Sequence, residues 1–457
     1  MKARLISRRG FLTRSGLASG SLLILKSLHS LRAAPASERL NVAIIGVGGR
    51  GRWFVDTMPK LANVVALCDV NEQRAGNAFE VIPQARKFHD FRRMLEQMDR
   101  EIDGVIVATP DHTHAVATAL AIKMGKHVYC EKPLTRNLAE ARHLRELAAR
   151  SKRATQLGNQ GTASEAFRRA VELVQAGAIG DVREAHAWND SGGAGARPIP
   201  TQRQDVPDSL KWDLWLGPAP ERPFHRDWLN WHAWRDFGTG QLGNWAVHTM
   251  NLAFKALKLD WLWQANGGSD RRVRIHAEVS SVHPETFPKW EIVRFDFPAR
   301  GGLPPVRINW YNGSRGPNVR KTIEDLMGRA LDWGDAGEKK WNDFAGVLLV
   351  GSKGKIHANG HNTVFTLGPN PEAAVGVPRS FPRSPGHERE WLNACQGGPA
   401  AVSNFNYGGP LTEFVLLGNA ATLHPGELVF DCSTGQFVDN AEANRALSRE
   451  YREGWNL

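Results

Sequence analysis

Paired cysteine is the first thing this sequence lacks. Cys68, Cys130, Cys395 and Cys432 stand alone, with no CxxC and no zinc-type spacing, which argues against both a disulfide framework and a zinc module. Cys68 and Cys130 fall in apolar, strand-like stretches, where a thiol behaves as a small buried hydrophobe. Long apolar runs are missing too. Beyond residue 36 none approaches the ~18 residues a membrane span needs, so the mature protein is expected to be soluble, with no membrane span. Internal repeats and low-complexity tracts are absent. A nucleic-acid signature is also absent, despite a net charge of +11. The Lys and Arg residues are spread along the chain, without a basic helix or an RNA-reading motif, so nucleic acid is excluded as a partner.

What is present suits a soluble protein of two domains. The chain has 457 residues, 42% hydrophobic and 23% charged, which is too long for one small core. Residues 1–36 read as a leader. Ser7-Arg8-Arg9-Gly10-Phe11-Leu12 resembles a twin-arginine tag, an apolar small-residue stretch runs from Ser15 to Leu28, and Ala34-x-Ala36 supplies a cleavage signal. Those three parts predict export, folded, through the twin-arginine machinery to the periplasm.

Residues 38–160 alternate strands and helices. Leu40–Ile45, Val64–Cys68, Gly104–Ala108, His127–Cys130 and Thr155–Gly158 are short apolar runs, with helices at His114–Lys123 and Leu138–Ala149. The alternation implies right-handed βαβ units and a doubly wound parallel sheet, a Rossmann α/β domain. From residue 161 to 457 the grammar changes. After a helix at Ser164–Gln175 come β-like segments at Arg272–Val282, Lys289–Phe297, Val306–Tyr311 and Val347–Ile356. They predict an α+β domain with an open, largely antiparallel sheet.

Gly46-Val47-Gly48-Gly49-Arg50-Gly51 is a GxGxxG that follows a strand, opens a helix and precedes Asp69 at the end of the next strand. Gly46 permits the tight turn, Gly48 and Gly49 let backbone approach a pyrophosphate, and Gly51 lets the helix pack on the strand. Asp69 is placed to accept from the adenosine ribose and to repel a 2′-phosphate. NAD is therefore the expected cofactor, while Arg50 and Arg74 leave NADP open. In Tyr129-Cys130-Glu131-Lys132-Pro133-Leu134, Lys132 falls at the carboxyl edge of the sheet. A lysine there can take a proton from a substrate hydroxyl if burial lowers its pKa.

NVAIIGVGGRG, VIVATPDHTH, GKHVYCEKPLTRN and QLGNQG, followed by WDLWLGPAPERPFH, FGTGQLGNWAVH, GSKGKIH, GHEREWLNA and LTEFVLLGNAA, resemble the glucose–fructose oxidoreductase, inositol dehydrogenase and MocA family. They are most similar to its exported, Trp-rich bacterial branch. The resemblance covers nearly everything after the leader, and Glu-Lys-Pro is its most specific element. It implies a nicotinamide-dependent oxidoreductase acting on CH–OH groups of carbohydrates, with a second domain whose sheet forms homo-oligomers, dimer or tetramer. It implies that Lys132 meets the reacting hydroxyl and that Thr109, Pro110, His114, Glu131 and Asn159 lie along the cofactor, with Gln160 and Trp245 at the substrate. Its second signature, Asp-x-x-x-His, corresponds here to Asn244-Trp245-Ala246-Val247-His248. His248 fits a general base or proton relay. Asn244 departs from Asp: it can orient a hydroxyl but cannot take a proton. Asp111, His112 and His114 open a helix rather than hold a metal, since no companion ligand cluster has the spacing. Of Trp212, Trp215, Trp228, Trp231, Trp234 and Trp245, half or more are expected in the core and one or two against a sugar ring.

Three functions remain open on the sequence. The first is hydride transfer between bound NAD(P) and a sugar, polyol or glycoside. A second is glycoside cleavage through transient oxidation and elimination, although relatives of that kind replace the Glu-Lys-Pro kept here. The third is a cofactor-sensing binding protein without catalysis. Export of a folded, cofactor-loaded protein implies a cofactor seldom released, reduced and reoxidised on the same chain.

Overall fold

The computed structural model describes residues 39–190, 195–313, 319–331, 344–424 and 426–457. The expected leader, residues 1–36, lies outside the described residues.

The first sheet has six parallel strands: β1 (Asn41–Ile45), β2 (Asn63–Cys68), β3 (Arg86–Phe88), β4 (Gly104–Val107), β5 (His127–Glu131) and β6 (Thr155–Gly158). Their order is β3-β2-β1-β4-β5-β6. The chain reverses its direction of travel across the sheet between β1 and β4, and ligands bind in the crevice outside the carboxyl ends of strands at such a switch point. The core strands are continuous apolar runs because helices cover both faces. Three helices matter for the site: α1 (Gly51–Thr57), α2 (Asp111–Lys123) and α3 (Leu138–Ser151). α2 is buried on nearly every side, Asp111, His112 and His114 included, because the second domain packs on the face that the sheet leaves free. α3 starts at a capping box in which Asn137 and Glu140 exchange side-chain and backbone bonds.

The second sheet has nine strands: β7 (Val182–Asn189), β8 (Arg272–Val279), β9 (Glu291–Phe297), β10 (Val306–Asn312), β11 (Ala345–Gly351), β12 (Lys355–Asn359), β13 (Phe365–Gly368), β14 (Gly426–Asp431) and β15 (Gln436–Phe437). Their order is β13-β12-β11-β7-β10-β9-β8-β14-β15. Only the β7–β10 pair is parallel; every other pairing is antiparallel. Two details differ from the sequence reading. The stretch Val347–Ile356 is a hairpin, not one strand, since Ser352–Gly354 turns the chain between β11 and β12. The helix expected from His114 begins three residues earlier, at Asp111.

α4 (Glu165–Gln175) and α5 (Asn251–Ala256) pack on each other and on the second sheet, while α6 (Phe405–Ala421) touches β6 of the first sheet and β8 of the second. Phe414 of α6 sits 4.8 Å from Phe295 and 5.5 Å from Phe254, ring to ring, so one aromatic cluster ties α6 and α5 to the second sheet. Gly408 and Gly409 of the same helix touch Leu157 and Arg145 so closely that a Cβ would crowd them at 2.9 and 3.2 Å. The two domains therefore share one continuous core.

Candidate active site

The glycine turn requires its glycines. Gly46 holds φ +81°, and a Cβ there would lie 2.6 Å from Ala108 O; at Gly51 a Cβ would collide with Gly46 O. Asp69 braces the turn from below. Its Oδ2 accepts from Val47 N at 2.9 Å and Gly48 N at 3.3 Å, and its Oδ1 accepts from Asn71 N at 2.9 Å. Burial raises its pKa against those three backbone donors. Arg74 lies over the turn, its Cγ where a Gly48 side chain would stand and its Nη2 beside Gly49.

A cleft of about 550 Å³ opens from this turn toward the second domain. It brings together Gly46, Gly48, Gly49, Arg50, Asp69, Thr109, Pro110, His114, Glu131, Lys132 and Asn244 from the sequence-predicted set. Gly51, Asn159, Gln160, Trp245 and His248 stand outside its lining. Asn159 is fully buried behind it, its Oδ1 accepting from the Ser403 hydroxyl. Gln160 Nε2 donates to Glu131 Oε1 at 2.9 Å and to the Tyr129 hydroxyl at 3.1 Å. Glu131 also pairs with Arg50 at 2.9 Å, so this carboxylate and this guanidinium satisfy each other beside the glycine turn.

Lys132 is held by a single residue of the other domain. Its Nζ donates to Asn244 Oδ1 at 2.6 Å and to Asn244 O at 3.0 Å. The backbone makes this grip available: Leu242–Ala246 winds as a π turn before the α-helical turn Val247–Thr249, and such turns recur at functional sites because they disturb the regular carbonyl ladder. Burial lowers the Lys132 pKa, opposed by Glu131 and Asp111 and assisted by Arg50. Both contacts to Asn244 are neutral. A neutral amine has two N–H donors and one lone pair. Two of the three ammonium N–H groups are spent on Asn244, so the third, and the lone pair its loss would leave, remains for the cleft.

His248 sits in the same helical segment but differs from the sequence expectation in its titration. Burial, then the Lys132 charge and the neighbouring His361, hold its pKa well below 6.5, so the ring stays neutral near pH 7. Its ring lies 4.7 Å from that of His361 and 6.2 Å from that of Trp245. His361 had no sequence signal beyond a Gly-His-Asn turn between β12 and β13; only the fold brings it here. Trp215 and Trp231 line the cleft with His232, and Trp215 also belongs, with Trp228 and Trp234, to the aromatic core behind it.

Residues 40–159 match the NAD-binding Rossmann-fold model of the Gfo/Idh/MocA oxidoreductase family, and residues 193–300 match that family's C-terminal alpha/beta domain. The chain belongs to this family. A glycosyl hydrolase family 109 protein of Streptomyces niveus is 26% identical over 345 residues, 69% of this chain and 65% of that protein. Inositol 2-dehydrogenase 3 of Saccharopolyspora erythraea is 31% identical over 151 residues, 32% of this chain and 44% of that protein. The chain thus matches less than two thirds of the length of these curated relatives. Among solved structures, the WlbA dehydrogenase of Bordetella pertussis, in complex with NADH and UDP-GlcNAcA, aligns with a TM-score of 0.55 at 13% identity, over 85% of this chain and 98% of that one; it shares the fold.

The glycine turn of this Gfo/Idh/MocA protein fits NAD on its own geometry. The N–H groups of Gly49 and Arg50 make no bond to protein among the described residues, and they face the cleft at the start of a helical run, the arrangement that accepts phosphate oxygens. Arg50 is already paired, which leaves Arg74 as the cation over the turn.

Asp111, His112 and His114 are each bonded to neighbouring elements, with His112 Nδ1 the ring nitrogen left without a partner. Asp111 accepts from the Thr239 hydroxyl at 2.6 Å, and His112 Nε2 bonds Trp215 O at 2.8 Å. His114 lies between two carbonyls, Pro133 O on Nδ1 and Thr109 O on Nε2, each at 2.8 Å. Carbonyls only accept, so both bonds exist only in the imidazolium. Burial opposes that charge, but Cys130 and Asp111 outweigh it and lift the pKa to about 10. A folded pKa above the unfolded ~6.5 contributes stability that is complete below pH 6.5 and lost as pH rises toward 10. His112, His232 and His357, pushed by burial down to about 3, act oppositely and cost stability below pH 6.5. Urea unfolding should therefore show a maximum near pH 6.5 and an alkaline loss of up to about 1.4 kcal/mol per pH unit. His114→Gln should flatten that alkaline limb; an unchanged limb would remove His114 as its source.

Proposed function

We propose that this protein oxidises or reduces a CH–OH group of a sugar, polyol or glycoside against a bound NAD, with Lys132 as the group that takes and returns the hydroxyl proton. The observation that carries this reading is the pair of hydrogen bonds from Lys132 Nζ to Asn244, which orients an amine of lowered pKa into the cleft. When bound, NAD supplies hydride exchange at the nicotinamide C4. Asn244 fixes the amine, and Glu131 with Arg50 and Gln160 fixes the loop that carries it. Trp215 and Trp231, in the cleft wall, offer apolar faces for a sugar ring.

A second reading is glycoside cleavage through transient oxidation, acidification of the adjacent C–H, and elimination. It is favoured by the extent of the likeness to the family 109 glycosyl hydrolase, which spans both domains, whereas the likeness to the inositol 2-dehydrogenase covers about a third of the chain. The two readings separate in deuterated solvent with a panel of sugars and aryl glycosides. Accumulation of a keto-sugar with matching NADH is the expected result. Release of aglycone with deuterium next to the oxidised carbon, and no net NADH, would support cleavage; neither product, with NAD bound, would overturn both.

We infer further, from the Arg8-Arg9 leader, that the protein is exported folded to the periplasm with its cofactor already loaded. Homo-oligomers through the broad nine-stranded sheet accompany that reading.

A further inference from the structure

The turn between β12 and β13 is tied so that one side chain, His361, keeps a fixed place. Asn359 closes the turn: its Oδ1 accepts from Thr363 N at 2.8 Å and Val364 N at 3.3 Å, and Asn362 Nδ2 returns a bond to Asn359 O at 3.1 Å. Asn362 takes φ +57°, a left-handed conformation that asparagine tolerates better than most residues. From outside, the Ser164 hydroxyl at the start of α4 donates to Asn362 O at 2.9 Å. These bonds leave the backbone on both sides of His361 little freedom.

Two close packings seat the turn against the groups that handle Lys132. A Cβ at Gly161 would collide with His361 O, and one at Gly360 would lie 3.2 Å from the Trp245 ring. Each contact is one residue away from a partner of the lysine loop. Gln160, beside Gly161, donates to Glu131, the residue before Lys132; Asn244, beside Trp245, holds the amine itself. The His361 ring lies 5.1 Å from that of Trp245 and 4.7 Å from that of His248. Of these three rings only His361 is exposed; Trp245 is half-buried and His248 is buried. His361 makes no side-chain hydrogen bond among the described residues. Burial, then the charges of Lys132 and Arg50, lower its pKa, so at pH 7 the ring is neutral and presents one N–H donor and one lone pair.

We propose that His361 is a specificity-determining residue of the active site, its imidazole hydrogen-bonding a hydroxyl of the sugar or polyol other than the one that reacts at Lys132. The inference rests on the oxidoreductase reading above and names a further recognition element for it. A hydroxyl both donates and accepts, as does a neutral imidazole, so the pair match without a charge. A carboxylate or phosphate at that position would meet one donor and one repelling lone pair. The substrate class is therefore a neutral polyhydroxylated one, and a site built to bond a hydroxyl rejects the analogue that lacks it.

The test compares wild type, His361→Ala and His361→Gln, each full length and saturated with NAD. The probes are the sugar, polyol or glycoside of the panel above with the lowest KM and its monodeoxy analogues. In wild type, one analogue altered away from the reacting carbon should lose about tenfold in kcat/KM. In His361→Ala the KM of the parent compound should rise about tenfold while kcat falls less than threefold, and the parent and that analogue should become equivalent. His361→Gln, whose amide keeps a donor and an acceptor, should recover part of the affinity. The substituted side chain is exposed, and circular dichroism with NAD binding checks that each variant folds. A residue that only props the turn against Lys132 would lower kcat for parent and analogues alike. That uniform loss, or an unchanged KM in His361→Ala, would overturn the proposal and leave the Lys132 reading standing. Turnover of no panel member by wild type would overturn both.

Discussion

Lys132→Met should lower kcat by about a hundred- to ten-thousand-fold, the range lost when a positioned acid–base group is removed. Methionine keeps the unbranched stem and most of the volume, so the cleft keeps its shape. It leaves Asn244 O and Oδ1 without their donor, which costs roughly 1–3 kcal/mol of stability. NAD affinity should change little, because the glycine turn, Asp69 and Arg74 lie at the other end of the cleft. Lys132→Arg is the sharper companion. It restores donors and charge but cannot become neutral. If Lys132 works as a base, the Arg variant is as dead as the Met variant; recovery of more than a tenth of the activity by Arg would mean that charge alone suffices. Single-turnover hydride transfer, followed by nicotinamide absorbance, separates either outcome from a change in product release.

The chemistry of the cofactor end was legible from sequence because it is local. GVGGRG and Asp69 lie 23 residues apart at most, inside one strand–turn–helix–strand unit, and the steric demands that select glycine at positions 46 and 51 come from that unit and from β4. The parallel pairing of the first sheet followed from the same alternation, though not its strand order or its short edge strand β3. The substrate end was less legible because each of its contacts joins distant segments. Lys132 and Asn244 are 112 positions apart, and Arg50 and Glu131 are 81 apart. Nothing in either local pattern says that Arg50 is spent on Glu131 or that Gln160 serves the same carboxylate. β7 escaped notice for a related reason. Val-Arg-Glu-Ala-His-Ala-Trp-Asn is not an apolar run, yet it becomes central once β10 and β11 flank it. A regular helix would place Asn244 and His248, four apart, on one face; the π turn shifts that register, and the Asn244 carbonyl, as well as its side chain, meets the lysine.

Asn244→Asp should move the pH profile of kcat/KM to the alkaline side and lower its value at pH 7 by about tenfold to a thousandfold, because a carboxylate within ~4–6 Å of an ammonium stabilises the charged form by that ratio. Oδ1 of residue 244 lies 2.6 Å from Nζ, close enough for the full effect. In the wild type the amine faces two neutral oxygens, and burial lowers its pKa against the charges of Glu131 and Asp111. In the variant the buried ion pair holds the third proton on nitrogen and leaves no lone pair for the substrate. Activity should return as pH rises, since hydroxide then competes for that proton. Asn244→Ala separates charge from positioning: it loses the grip on the amine and should lower kcat without an alkaline displacement. The opposite result is equally decisive. An Asp variant more active than wild type at pH 7 would show that a charged Lys132 is the working form. The proton would then leave through another group, with the neutral His248 beside His361 the nearest candidate, and Asn244 would be a feature that restrains turnover rather than one that tunes the base.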